Sequence, residues 1–254
     1  MKYGICTLAV IPVRKDASDK SEMITQLLFG DIVELLDKSN QWLYIRIAYD
    51  DYQGWIDIKQ ITELSDEEYI QLSTAPSFKI RDLTFPITKK TDNTEVIALM
   101  GSSIPFQKNN SFIAGGQHYL INNQTTETKP SLIETALKYL NSPYLWGGKT
   151  PFGIDCSGFT QIVFKLCGIK LCRDAHQQSE QGKTIDFISE ALAGDLVFFD
   201  NNKGNIIHTG ILLEKNQIIH ASGCVKIDSI DHEGIYNELE QRYTHKLRLI
   251  KRMI

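Results

Sequence analysis

Short alternating apolar and polar runs fill the first half of the chain, and a helical rhythm takes over only after residue 130. Residues 31–36, 42–48 and 54–58 are rich in Val, Ile, Tyr and Trp and read as short β-strands. Asp37-Lys38-Ser39-Asn40 and Asp50-Asp51 supply the turns between them. The apolar stretch 4–11 predicts a first strand, and Trp42 and Trp55 are expected to fill the core of a small barrel. Ser65-Asp66-Glu67-Glu68 places a capping serine before three acids, the start signal of a connecting helix that ends before Pro76. Beyond it the pattern returns to strands at 79–85, 95–99, 111–114 and 117–121, punctuated by Gly101, Pro105 and Gly115-Gly116. This predicts a second, diverged module, followed by a polar linker over 122–129.

Pro130 stands where proline favours a helix start, and Ile133, Ala136, Leu137 and Leu140 predict one apolar face before Pro143 ends the helix. From Ser157 onward Phe159, Ile162, Val163, Leu166 and Cys167 repeat the spacing of a half-buried helix, and Gly168 supplies its stop. An irregular loop with Pro143, Gly147-Gly148, Pro151 and Gly153 delivers the chain to it. Gly194-Asp195 leads into a strand at 196–199, apolar enough to be buried on both faces. Runs 206–213 and 217–221, joined by Glu214-Lys215-Asn216, form a β-hairpin. Helices followed by antiparallel strands make an α+β arrangement. The predicted domains are 1–62, 63–128 and 129–254.

Composition is that of a globular protein, with 42% hydrophobic and 23% charged residues. A net charge of −4 carries no polyanion-binding signature, so nucleic acid is not an expected partner. No apolar run approaches the ~18 residues that span a bilayer, so no membrane partner is expected. The N-terminal apolar stretch runs into Pro12-Val13-Arg14 without a small-residue cleavage site and does not read as a signal peptide. Cys6, Cys156, Cys167, Cys172 and Cys224 form an odd set without a framework spacing, which predicts reduced thiols and a cytoplasmic setting.

Cys156 falls in the first turn of its helix, facing unpaired N–H groups and the positive end of the dipole, both of which favour a thiolate. A buried inert thiol is the plain alternative. A nucleophile needs a base, and each strand of the hairpin carries one histidine inside an apolar run, His208 and His220. If Leu213 pairs with Gln217 across the three-residue loop, paired positions sum to 430 and both histidines share a face. A two-residue turn would send them to opposite faces. Cysteine, base and a third group orienting the base form the logic of nucleophilic catalysis. Zinc held by Cys156, His208 and His220 is the competing reading, though it needs further ligands and supporting contacts. No metal or other cofactor is expected. His118, His176, His232 and His245 lack comparable context and read as solvated or locally bonded, and Cys167 and Cys172 as structural thiols.

Tyr144-Leu145-Trp146-Gly147-Gly148, Asp155-Cys156-Ser157-Gly158-Phe159, Gly194-Asp195-Leu196 and His208-Thr209-Gly210-Ile211 stand in the order seen in NlpC-type, papain-like cell-wall cysteine peptidases. His220 follows twelve residues after His208, where that family places its orienting residue. Residues 130–254 resemble this family. The strands around Gly54-Trp55 resemble bacterial SH3-like modules, so the implied fold is a papain-like domain preceded by two small SH3-like β-barrels. Within the family the chain is similar to dipeptidyl-peptidase VI-type γ-D-glutamyl-L-diamino-acid endopeptidases. That resemblance implies hydrolysis of free muropeptides of the type L-Ala-γ-D-Glu-diamino acid, with release of L-Ala-D-Glu, in peptidoglycan recycling. It implies Cys156 as nucleophile, His208 as base and His220 as orienter, with the Cys156 N–H and the Tyr144 hydroxyl on the oxyanion. Asp155 and Ser157 resemble substrate-binding positions, although Asp155 equally suits a helix cap. Asp174, with Glu22 and Tyr52 of the first module, corresponds to the subsite for the substrate's free amine. A peptide-binding protein without catalysis, or an acyl transferase on the same scaffold, are the other functions open to such a chain.

Overall fold

The computed structural model describes residues 2–105, 110–121, 131–214 and 216–253. The predicted linker over 122–129 and Pro130 lie outside the described residues. The chain divides into two compact units, Met1–Thr128 and Lys129–Ile254.

In the first unit, seven strands form one sheet in the order Met23–Leu28, Val10–Arg14, Gln53–Asp57, Trp42–Ile47, Ile32–Ser39, Tyr3–Ile5, Thr62–Leu64. Ile11, Val13, Leu27, Leu43, Ile45 and Ile56 fill its interior. The stretch 4–11 is not one strand. Tyr3–Ile5 pairs with Ile32–Ser39 and Thr62–Leu64, whereas Val10–Arg14 pairs with Met23–Leu28, so the chain must turn between two sets of neighbours. Trp42 is buried, and Trp55 packs on Tyr44 with ring centroids 5.1 Å apart. The connecting helix runs Asp66–Thr74 with a full capping box: the Ser65 hydroxyl accepts from the Glu68 N–H, and Glu68 accepts from the Ser65 N–H.

The second module holds a four-stranded sheet, Glu95–Leu99, Thr84–Lys89, Gln117–Leu120, Ser111–Ala114, and a ribbon of Ser77–Lys79 with Ser103–Pro105. The predicted strand at 79–85 is therefore two strands in separate sheets. Ile5, Phe29 and Leu64 of the first module share a core with Ile80, Phe85 and Phe112 of the second, so residues of the first module complete the core of the second.

The second unit is a helix packed on a closed sheet. Lys183–Ile185, Arg242–Arg252, Leu196–Asp200, Ile206–Leu212, Gln217–Ser222, Cys224–Ile230 and Gly234–Asn237 follow in spatial order, and Arg242–Arg252 pairs again with Gly234–Asn237. That second pairing closes the sheet around Val197, Phe199, Leu212, Ile218, Ile235 and Ile250. Leu196–Phe199 is buried on both faces, as its continuous apolar run predicts. The strands after residue 222 have no counterpart in the sequence reading.

The helix after Ser131 spans Leu132–Leu137, with the Ser131 hydroxyl as its cap. Its buried side is Thr135, Ala136 and Tyr139, while Leu137 and Leu140 are exposed, so the predicted apolar face is rotated. Cys156–Leu166 forms the helix that begins at Cys156, and it ends at Gly168, whose φ of 81° suits a residue without a Cβ. All of its residues are buried rather than one face. Two of its polar side chains bond inside the protein: Thr160 donates to Gln178 at 2.7 Å, and Gln161 to the Leu171 carbonyl at 3.1 Å.

Candidate active site

Asp155 caps the Cys156–Leu166 helix, accepting from the Gly158 N–H at 2.6 Å. Its other oxygen accepts from the Gly147 N–H at 2.8 Å, which ties the preceding loop to the helix start. The Arg173 guanidinium grips both oxygens, at 3.0 and 2.6 Å, and donates to the Ser157 hydroxyl at 2.9 Å. Arg173 is 1% exposed. Of the two roles open to Asp155 in the sequence, the structure shows the cap, with both oxygens engaged inside the protein. A Cβ on Gly158 would stand 2.3 Å from the Gly148 carbonyl oxygen, so only glycine lets the loop cross the first helical turn this closely.

That loop also places Tyr144. Its backbone N–H donates to the Gly223 carbonyl at 2.9 Å and its strand bridges to Ile154, beside the Cys156 helix. Burial, then the neighbouring Cys156 and Asp155, push the Tyr144 phenol well above its usual range. It therefore stays a proton donor at any working pH.

The Cys156–Leu166 helix packs on Ile206–Leu212 and Gln217–Ser222. Gly210 pairs with His220 and Leu212 with Ile218, and the Leu213 N–H donates to the Gln217 carbonyl at 2.8 Å. These pairs sum to 430, the register that the three-residue loop predicts. His208 Nε2 and His220 Nδ1 meet at 2.8 Å, a hydrogen-bond separation. The backbone N–H of Thr209, the residue after His208, is directed at the Cys156 sulfur. Among the described residues no group of three or more His, Cys, Asp or Glu side chains has the arrangement of a metal site.

The thiol differs from the sequence expectation. Burial first, and Asp155 next, push it up to about 12, against the N–H groups of Thr209 and Ser157 and the Arg173 charge. Desolvating the sulfur outweighs the helix N-terminus, so the resting group is a thiol and needs a base to remove its proton.

Three features of the site were not read from the sequence. Asp228 accepts from His220 Nε2 at 3.0 Å, and Lys226 holds the same carboxylate oxygen at 2.9 Å. His245 is locally bonded, its Nδ1 2.9 Å from the Thr244 hydroxyl, but it also stacks on His208 with ring centroids 4.3 Å apart, and Phe199 lies 5.8 Å from both rings. Arg173 anchors Asp155. Alternation was the available signal for Asp228, because the tight turn after Ser222 pairs His220 with Lys226 and so sets Asp228 on the same face. Asp174 is half-buried at the start of the short helix Ala175–Gln178, where its backbone N–H donates to Gln177 Oε1 at 3.3 Å. Glu22 and Tyr52 belong to the first unit. Glu22 lies 3.8 Å from Lys15 Nζ, and the Tyr52 N–H donates to Asp50 Oδ1 at 3.2 Å.

All three clustered imidazoles are depressed below 6.5, each first by burial, His245 to about 4. A base held lower in the folded than in the unfolded chain contributes its full stability above the unfolded value. It loses that contribution as pH falls, since the unfolded chain takes up protons first. Asp228, held at about 2 chiefly by its bond to His220, extends the loss below 3.8. The melting temperature should fall steadily from pH 6.5 to 4. A flat profile across that window, read by scanning calorimetry, would contradict the neutral imidazole cluster.

Comparison with known proteins follows the same division of the chain. Residues 141–246 match the NlpC/P60 family and residues 13–61 the bacterial dipeptidyl-peptidase SH3 domain. A γ-D-glutamyl-L-lysine dipeptidyl-peptidase of Bacillus cereus is 29% identical over 87% of this chain and 74% of its own length. Dipeptidyl-peptidase 6 of Lysinibacillus sphaericus is 27% identical over 84% and 86%. A crystal structure of an NlpC/P60 family protein from Bacillus cereus superposes with a TM-score of 0.82 at 20% identity, covering 99% of both chains, and shows the same fold. Among the described residues no helix is long and apolar enough to cross a membrane. With a cysteine at a buried helix start and a histidine pair hydrogen-bonded on the adjoining hairpin, the chain carries the NlpC/P60 cysteine-peptidase domain behind a dipeptidyl-peptidase SH3 domain.

Proposed function

We propose that this peptidase hydrolyses the γ-D-glutamyl–diamino acid bond of free muropeptides with an N-terminal L-Ala, releasing L-Ala-D-Glu in peptidoglycan recycling. The observation that carries the reading is the His208–His220 pair at 2.8 Å on the strands that support the Cys156 helix. Relatives named γ-D-glutamyl-L-lysine dipeptidyl-peptidase, matched over most of the chain, supply the substrate class.

In this reading Cys156 Sγ attacks the γ-carbonyl carbon of D-Glu as its proton passes to His208. The C–S bond forms, and the oxyanion is met by the Cys156 N–H and the Tyr144 hydroxyl. His208 then returns the proton to the departing amine of the diamino acid as the C–N bond breaks. Water, deprotonated by His208, hydrolyses the thioester and frees L-Ala-D-Glu. Asp174 is assigned to pair with the substrate's ammonium, a charge costly to bury alone. Ser157, whose hydroxyl accepts from Arg173, is the second side chain assigned to substrate binding in this reading. All five cysteines are present as thiols, in keeping with a cytoplasmic setting.

The test is incubation with L-Ala-γ-D-Glu-L-Lys and L-Ala-γ-D-Glu-meso-diaminopimelate, followed by chromatographic detection of L-Ala-D-Glu. Release is expected, with turnover sharply reduced when the substrate's amine is acetylated. Cleavage of the acetylated peptide at the same rate would reject the amine anchor, and no release from either peptide would reject the substrate class.

A further inference from the structure

Hydrogen bonds in the site continue past His220, and they run in one direction only. The turn at Gly223 pairs Gln217–Ser222 with Cys224–Ile230 so that His220 faces Lys226 and Ile218 faces Asp228. Lys226 and Asp228 therefore lie on the sheet face that carries both catalytic imidazoles. Asp228 Oδ2 is 3.0 Å from His220 Nε2 and 2.9 Å from Lys226 Nζ. An ionised carboxylate can only accept, so the proton of this bond sits on His220 Nε2. A neutral imidazole has one N–H, which leaves His220 Nδ1 bare and able only to accept. Its partner at 2.8 Å is His208 Nε2, which must then be the donor. His208 Nδ1 is left as the single lone pair with which that ring can take a proton.

We propose that Asp228 is a positioning residue of the reaction: held by Lys226, it sets the tautomer of His220 and through it aims the basic nitrogen of His208 at Cys156. The inference rests on the assignment of Cys156 and His208 in the proposed function. Without an anchor at its outer end the His–His pair could hold either of two proton arrangements. One of them leaves an N–H on His208 Nδ1, where it cannot accept the thiol proton. The carboxylate also stabilises the positive charge that the histidine pair gains as His208 takes that proton. The other titratable group facing the pair is His245 from Arg242–Arg252, stacked on His208 and 5.8 Å from His220 between ring centroids. His245 is neutral at working pH and supplies no fixed charge.

Asp228→Asn is the informative variant, because its amide can donate to His220 Nε2 and reverse every bond in the series. When such a change is made on the carboxylate that touches the base itself, kcat falls by roughly 10⁴. One imidazole further out, a loss of about 100-fold in kcat with KM unchanged is expected, scaled down from that limit. Asp228→Glu, which keeps an accepting carboxylate, should recover at least about tenfold of the loss. The acid limb of the kcat/KM profile should move to lower pH in Asp228→Asn, since a carboxylate that favours the protonated pair is gone.

Ring ¹⁵N shifts report the tautomers without substrate. The wild type should show both rings protonated on Nε2, and Asp228→Asn should show both protonated on Nδ1. Wild-type kcat and pH profile in Asp228→Asn, or a wild-type His208 protonated on Nδ1, would overturn the proposal. If Asp228→Asn does not fold, the wild-type tautomers decide alone. A wild type with the stated tautomers but no activity on either muropeptide would count against the substrate reading and leave this inference standing.

Discussion

Replacing Cys156 by alanine is expected to lower turnover of L-Ala-γ-D-Glu-L-Lys by roughly 10⁴-fold or more, while the peptide still binds. The sulfur makes the only covalent bond to substrate in the proposed reaction, and no neighbouring side chain can take its place. Cys156 is 6% exposed, and trimming one buried atom should cost no more than about 1 kcal/mol of stability. Loss of activity with a retained fold would then mark the chemical step. Because the resting thiol is pushed up to about 12, base and nucleophile act as one unit. His208→Gln should therefore cost nearly as much as Cys156→Ala, and the double variant should be no slower than Cys156→Ala. Additive losses, or turnover surviving in Cys156→Ala, would remove the nucleophile assignment. Steady-state rates with calorimetric binding to each variant read all three outcomes.

The largest loss of stability is expected from Arg173→Met. Arg173 and Asp155 form a bidentate ion pair with almost no access to water, 1% and 6% exposed. Removing the guanidinium leaves a buried carboxylate without its counter-charge, a change that costs about 3–5 kcal/mol. The same carboxylate caps the nucleophile helix and holds the Gly147 N–H, so the loop carrying Tyr144 should loosen with it. Asp155→Asn together with Arg173→Met should recover part of the loss, because the double variant buries no charge. Guanidinium midpoints and amide exchange in Cys156–Leu166 measure both effects. A double variant no more stable than Arg173→Met would mean that packing around the guanidinium, not the uncompensated charge, sets the cost.

Local pattern carried a good part of this molecule. The cap at Ser65, the stop at Gly168, the doubly buried strand at 196–199 and the face shared by His208 and His220 all follow from neighbours a few residues apart. Each obeys a rule of spacing or chirality that operates before any tertiary contact forms. The division of the stretch 4–11 into two strands escaped that logic, because its halves pair with different, distant partners. Arg242–Arg252 escaped it too. Nearly half of its residues are charged and most are at least partly exposed, yet it sits between Lys183–Ile185 and Leu196–Asp200 and closes the sheet. Its place was set by the backbone groups of its neighbours, which its side chains do not announce. With it came His245, brought against His208 from 37 residues away (245 − 208).

The amino-acid sequence by itself determined where the nucleophile helix begins, which loop length aligns the two imidazoles, and which residue types could perform acyl transfer. Only the tertiary structure decided their electrical state. Burial turned the expected thiolate into a thiol, and Arg173 and His245 arrived as partners that no local pattern in the chain pointed to. Helical period and strand alternation act over a few residues, whereas desolvation and charge pairing depend on whatever the fold brings near, at any separation along the chain.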